Sequence, residues 1–213
     1  MPISLFENLD QDTAIGLWQI TESTKDLEAR LQLKNHELDL LSSLSNGKRN
    51  LHWLATRVLL REMLNTNEYI DCRADENGKP ILINHPYHIS LSHSYDYAAV
   101  MISKTKQVGI DIEIIKNKIE RVQNKFLSQE ELNAIDNKDR IEKLYVYWCA
   151  KEALYKLNGK KETSFKDHIY IKPFSYLPFG DLSATIKKSA SADDYTVKYK
   201  KIENYMLGYV CEK

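Results

Sequence analysis

Three cysteines, Cys72, Cys149 and Cys211, are scattered through 213 residues without a Cys-x-x-Cys pair. That argues against a disulfide framework and a cysteine-rich zinc site, and it suits a reducing compartment. Net charge is missing too: 30 basic residues balance 30 acidic ones. No global field draws the chain to nucleic acid or to an anionic membrane, so any anion site has to be built locally. No apolar run approaches the roughly 18 residues of a membrane span, and residues 1–10 lack a basic segment followed by an apolar one. The expectation is a cytoplasmic protein with no nucleic-acid or membrane partner. Low-complexity linkers and residue-level repeats are also absent. What is present is an ordinary apolar complement, 43% of residues, enough for a core in one domain or two small ones.

The apolar stretch 15–20 reads as a strand, followed by helical patterning over 25–44 and a second helix over 48–65. Asp75-Glu76-Asn77-Gly78-Lys79-Pro80 is turn chemistry, with Gly78 free to take positive φ, and strands are expected on either side. Residues 87–102 and 108–115 are rich in β-branched and aromatic residues and predict two more strands, joined through Ser103-Lys104-Thr105-Lys106. Ser128 and Glu131 fit a capping box, a long helix is predicted over 141–158 with Gly159 just beyond it, and 183–211 returns to short strands connected at 189–193 and 203–204. Helices run into a strand meander twice over, an α+β outline with a boundary at 104–107.

Within Val108-Gly109-Ile110-Asp111-Ile112-Glu113 the two carboxylates leave one face of a strand while Ile110 and Ile112 leave the other. Alone, the pair reads as the solvated face of an amphipathic strand or as half of a Mg²⁺ site, since a cation relieves the repulsion between them. On the long helix, at about 100° per residue, Glu152 falls in the middle of the apolar stripe of Ile141, Leu144, Tyr145, Trp148 and Tyr155. Val146, Ala150, Ala153 and Leu157 form a second apolar face, so Glu152 needs a partner. Lys156, one turn on, supplies one in a plain i,i+4 pair; a metal is the other reading. Lys79 beside Gly78, and the hydroxyls and imidazole of Ser90-Leu91-Ser92-His93-Ser94, are groups able to bind phosphate, and Arg57 is a cation on the helix that carries Trp53.

Taken in order, Asn77-Gly78-Lys79-Pro80, Ser92-His93-Ser94, Val108-Gly109-Ile110-Asp111-Ile112-Glu113 and Trp148-Cys149-Ala150-Lys151-Glu152-Ala153-Leu154-Tyr155-Lys156 resemble the successive signatures of the surfactin-synthetase-activating class of phosphopantetheinyl transferases. The Gly-Ile-Asp and Trp-x-x-Lys-Glu-Ala-x-x-Lys segments are that family's defining pair. The resemblance covers residues 48–160; residues 1–44 and 163–213 match only by the order of their elements.

The resemblance implies an α+β fold of two similar halves, helices packed on small antiparallel sheets, arranged as a pseudo-dimer with the active site in the cleft between them. Residues 1–105 would bind the nucleotide end of coenzyme A, and residues 106–213 would carry the metal site and catalysis. Asp111, Glu113 and Glu152 would hold Mg²⁺, Lys156 would meet charge on the pyrophosphate, and Glu152 would take the proton of the acceptor serine directly or through a water. Lys79, Pro80, Ser92 and His93 resemble the family's nucleotide contacts, and Arg49 and Arg57, with Lys48, resemble its basic residues in the first half. The implied partners are coenzyme A and an apo acyl or peptidyl carrier protein. The implied state is a monomer, because the family's shorter class is the one that assembles as trimers. Two alternatives stand beside this. One is a metal-dependent phosphohydrolase. The other is a non-catalytic carrier- or nucleotide-binding module in which Glu152 and Lys156 only pair with each other.

Overall fold

The structure, a computed structural model, describes residues 3–44, 47–160, 162–188 and 191–212. The chain opens with β1 (Ile3–Asn8) and β2 (Thr13–Gln19), followed by α1 (Thr24–Glu28), α2 (Asn35–Ser43) and α3 (Lys48–Leu64). The short strands β3 (Cys72–Ala74) and β4 (Pro80–Leu82) precede β5 (His88–Ser94), β6 (Tyr97–Ser103) and β7 (Val108–Ile114). A 3-10 turn then leads to α4 (Gln123–Phe126), α5 (Gln129–Asn133) and α6 (Arg140–Asn158), and β8 (Ile169–Ile171), β9 (Phe179–Lys187), β10 (Ala192–Ile202) and β11 (Tyr205–Cys211) complete the chain.

These strands make two principal antiparallel sheets, in the orders β1-β2-β6-β5 and β7-β11-β10-β9-β8, with β3-β4 as a separate ribbon. The apolar residues sort into three cores that define the layers. α3 places Leu54, Val58, Leu59 and Met63 against Trp18, Ile89, Ala98 and Val100 of the first sheet. α6 places Ala150, Ala153 and Leu157 against Met206 and Val210 of the second. Between the sheets, Ile15, Leu17, Ala99 and Met101 meet Val108, Ile110, Ile112 and Leu207. The central strands are therefore covered on both sides. That is why β6 is buried along its whole length and reads as an uninterrupted apolar run. The outline is α+β, helices on small antiparallel sheets, with one helix and one sheet in each layer pair.

Several local expectations hold. Gly78 sits at φ 85 in the turn between β3 and β4. Ser128 and Glu131 form their reciprocal capping box at the start of α5. α6 ends at Gly159, whose left-handed φ of 66 suits a residue without Cβ.

Others are corrected. The run 87–102 is not one strand but the hairpin β5-β6, reversed at Tyr95 with φ 49. His52 fixes that turn, its Nε2 lying 2.6 Å from the Tyr95 carbonyl oxygen. The helix expected over 25–44 is two, because Glu37 folds back onto the Lys34 amide (3.0 Å) and starts a second helix there. β1 was not foreseen, and of the connection expected at 189–193, residues 189 and 190 lie outside the described residues.

Candidate active site

Asp111 and Glu113 share with Gly109 the face of β7 that looks toward α6. Contact there is close: a Cβ on Gly109 would stand 1.9 Å from the Ala153 carbonyl oxygen, so only glycine lets β7 lie against α6. This approach brings the carboxylates of β7 under Glu152 and Lys156.

Asp111 is 5% exposed. Its Oδ1 accepts hydrogen bonds from Ser92 Oγ (2.7 Å) and Lys156 Nζ (2.8 Å), and Lys156 Nζ also donates to the Ile110 carbonyl (3.0 Å). Its Oδ2 is buried and has no hydrogen-bond partner among the described residues. The neighbouring thiol of Cys149 donates instead to the Met206 carbonyl at 3.4 Å. Glu113 Oε2 accepts from Ser94 Oγ at 2.8 Å. Lys156 thus pairs with Asp111 on the adjoining strand β7, rather than serving only as the i,i+4 neighbour of Glu152.

The acidic groups repel one another. Burial first, and then the charges of Asp111 and Glu113, push Glu152 up to about 7 despite the opposing effect of Lys156. Glu113 is raised in the same way, by burial and then by Asp111. Among the described residues, no three His, Cys, Asp or Glu side chains converge closely enough to form a ready-made metal cage. The site nevertheless fits a hard cation on two grounds: Asp111 Oδ2 is a buried carboxylate oxygen with an unused acceptor among the described residues, and Asp111, Glu113 and Glu152 crowd together beside Lys156, with Lys118 acting on Glu113 as well. Mg²⁺ takes few protein ligands and completes its octahedron with water and phosphate oxygens, so an open, carboxylate-rich wall matches it better than a cage.

The residues expected at the nucleotide end divide. Lys79, on the turn into β4, reaches α6: its Nζ donates to the Leu157 carbonyl (2.9 Å) and to Gln107 Oε1 (2.7 Å). Burial lowers its pKa. Lys79 and Pro80 border both a 190 Å³ cavity with Leu91, Tyr155 and Lys156 and a 790 Å³ cleft with Tyr87, Lys104 and Lys160. His93 is exposed and stacks on His52 with ring centroids 4.5 Å apart. The atoms packed around it, then His52 and Lys156, hold its imidazole below the usual range.

Ser92 differs from expectation: its hydroxyl is buried and committed to Asp111 rather than open to a ligand. Arg57 is also displaced. Its guanidinium lies 4.7 Å over the Trp53 ring and lines a separate hollow with Glu37 and Tyr69. Arg49 is exposed on the first turn of α3.

Residues 107–210 match the 4′-phosphopantetheinyl transferase superfamily. The match takes in Asp111, Glu113, Glu152 and Lys156. The chain is also similar to the 4′-phosphopantetheinyl transferase AcpT of Escherichia coli strain K12, 33% identical over 119 residues, which are 53% of this chain and 60% of that protein. AcpT of Salmonella typhimurium strain LT2 is 31% identical over 126 residues, 56% of this chain and 65% of the relative. The chain therefore spans less than two thirds of the length of these relatives.

One functional-looking residue proves architectural. Lys151 has no exposed surface; its ammonium donates to Glu131 Oε2 (2.7 Å), the Phe165 carbonyl (2.9 Å) and the Ile169 carbonyl (2.7 Å). In the sequence, Lys151 already projects about 100° away from Glu152 on the helix, outside the stripe that carries Glu152.

Proposed function

We propose that the protein is a 4′-phosphopantetheinyl transferase of the surfactin-synthetase-activating type. It would move the phosphopantetheine arm of coenzyme A to a serine of an apo acyl or peptidyl carrier protein and release 3′,5′-ADP. The observation that carries this reading is the acidic wall of Asp111, Glu113 and Glu152 facing Lys156, with one Asp111 oxygen unpartnered, inside the stretch similar to the superfamily.

The serine oxygen attacks the β-phosphorus of coenzyme A as the bond from that phosphorus to the bridging oxygen breaks. The electron pair leaves on the 5′-phosphate of 3′,5′-ADP. Glu152, whose carboxyl titrates at about 7, is suited to take the serine proton, directly or through a water. Lys156 is placed to meet charge developing on the phosphoryl oxygens. Mg²⁺ held by Asp111, Glu113 and Glu152 together with the pyrophosphate would neutralise charge on the same oxygens. Lys79, Pro80 and His93 would face the nucleotide end.

Two halves in one chain supply every residue named, which supports a monomer. No helix among the described residues is long and apolar enough to cross a membrane, and a cytoplasmic setting is part of the proposal. Lys116, Lys118, Arg121 and Lys125, on or beside the turn after β7, are basic groups able to face an acidic carrier surface.

The test is mass spectrometry of an apo carrier protein incubated with the protein, coenzyme A and Mg²⁺. Transfer gives a phosphopantetheine adduct and 3′,5′-ADP. A phosphohydrolase would consume coenzyme A without forming the adduct, and a binding module would leave both reactants intact; either result would overturn the proposal.

A further inference from the structure

The two sheets meet along β5 and β7, and backbone pairing does not join them. β7 pairs with β11 on one edge, so on its other edge the amides of alternate residues need acceptors. Three serines supply them in register: Ile110 N–H donates to Ser90 Oγ (3.0 Å), Ile112 N–H to Ser92 Oγ (3.3 Å) and Ile114 N–H to Ser94 Oγ (3.1 Å).

A hydroxyl has one proton to give. Because each amide can only donate, each serine must accept from β7 and is left free to donate elsewhere. Ser92 gives its proton to Asp111 Oδ1 (2.7 Å) and Ser94 to Glu113 Oε2 (2.8 Å). Ser90 has no carboxylate to serve, since the matching position on that face of β7 is Gly109. The three rungs are therefore alike in closing the seam and unlike in what they hold.

We infer that Ser92 and Ser94 are positioning residues for the acidic wall: each hydroxyl, oriented by a β7 amide, fixes one oxygen of Asp111 or Glu113 and turns the other toward the cleft. Asp111 fits this directly, with Oδ1 doubly engaged and Oδ2 unpartnered. Ser90 closes the seam and does nothing for the carboxylates. The inference deepens the transferase reading and rests on its metal site.

The three rungs provide their own control. Ser90→Ala, Ser92→Ala and Ser94→Ala, made in the full chain, each remove one seam bond and are expected to lower the thermal midpoint by a similar few degrees. Mn²⁺ affinity, read by electron paramagnetic resonance of the free ion, should separate them. The dissociation constant should stay within about twofold for Ser90→Ala and rise about ten- to a hundred-fold for Ser92→Ala and Ser94→Ala, as when outer partners of metal ligands are lost. Ser94→Thr, which keeps the hydroxyl, should restore affinity. If Ser92→Ala does not fold, Ser94→Ala and its threonine rescue decide the matter.

Equal affinities across the series, or an equal loss in Ser90→Ala, would overturn the positioning role while leaving the metal site standing. A wild type that binds no Mn²⁺ would overturn both. Carrier modification is a separate readout, so the expected Mn²⁺ pattern with no phosphopantetheine adduct would reject the transferase reading and keep the ladder.

Discussion

Asp111 carries a carboxylate held at one end only: one oxygen is fixed by Ser92 and Lys156 and the other is buried with no partner among the described residues. Asp111→Ala removes a charge and little core volume, so the variant should stay folded by circular dichroism and lose measurable carrier modification. Turnover near the wild-type rate at modest Mg²⁺ would count against Asp111 as a metal ligand. Lys156→Ala should lower kcat far more than it raises KM for coenzyme A, because a cation facing developing charge acts mainly in the transition state; steady-state kinetics on the two variants separate the roles. Glu152 gives a further expectation for the metal-free protein. Its carboxyl titrates at about 7 when folded, against an ordinary 4.5. Between those values the folded state binds more protons than the unfolded one, so stability falls as pH rises through that window. Glu113, also raised, adds to the same slope. His93, whose imidazole is held down to about 4, opposes this slope below its ordinary 6.5, where the unfolded imidazole binds the proton. In a His93→Ala background, urea midpoints measured from about pH 4.5 to 7.5 should therefore decline without metal, and saturating Mg²⁺ should flatten the decline. These residues were legible in sequence because each belongs to a single periodic element. Two positions along a strand put Asp111 and Glu113 on one face, and one helical turn aligns Glu152 with Lys156. Their partners were not legible, since the hydrogen bonds to Ser92 and Ser94 cross 19 residues of chain and obey no local period.

Elements show the same division. α6 was readable from its two apolar faces and its terminal glycine, and α5 from its capping box, because caps and periods are local signals. The β5-β6 hairpin was hidden: its turn at Tyr95-Asp96 carries no glycine or proline, and the left-handed Tyr95 is held by His52, 43 residues away. The partners of Lys151 were hidden for a related reason. Lys151 sits beside Glu152 in the sequence but projects about 100° away on α6, where it ties the helix to α5 and to the segment 165–171. Glu131 completes the knot, accepting from the Ile171 amide (3.0 Å) and the Ser128 amide (2.8 Å). Removing one partner of such a buried pair strands the other, at a cost of about 3–5 kcal/mol. Lys151→Ala is therefore expected to lower the urea midpoint much more than Lys156→Ala does, and to impair activity through folding rather than through the chemical step. Equal losses of stability in the two variants would contradict this account of α6.

At the scale of the whole molecule the two halves are joined by the apolar core between the sheets, the serine seam, and Lys79. The turn bearing Lys79 belongs to the first half, yet its ammonium rests on the last turn of α6 in the second, at the wall between the two cavities. A Cβ on Gly159 would come within 3.0 Å of the Lys79 Cδ. The sequence marked Lys79 as a phosphate ligand, because a lysine beside glycine in a turn is accessible; that the same ammonium also latches α6 depends on the packing of the halves. Both tasks can be read in one comparison. Without ligand, Lys79→Ala should lower the thermal midpoint, since the carbonyl of Leu157 and the amide of Gln107 lose their donor, whereas His93→Ala, exposed and stacked on His52, should not. With ligand, both variants should raise KM for coenzyme A by about ten- to a hundred-fold, the equivalent of losing a charged hydrogen bond of roughly 1.5–3 kcal/mol. Dephospho-coenzyme A completes the cycle: it should be a poorer substrate for the wild type, and a variant lacking the true 3′-phosphate contact should discriminate much less between the two. If Lys79→Ala loses stability but both variants keep the full preference for coenzyme A, Lys79 is a latch alone and the phosphate is held elsewhere. Lys48 and Arg49 on the exposed first turn of α3 then become the cations to substitute, ahead of Arg57, whose guanidinium is already stacked on Trp53.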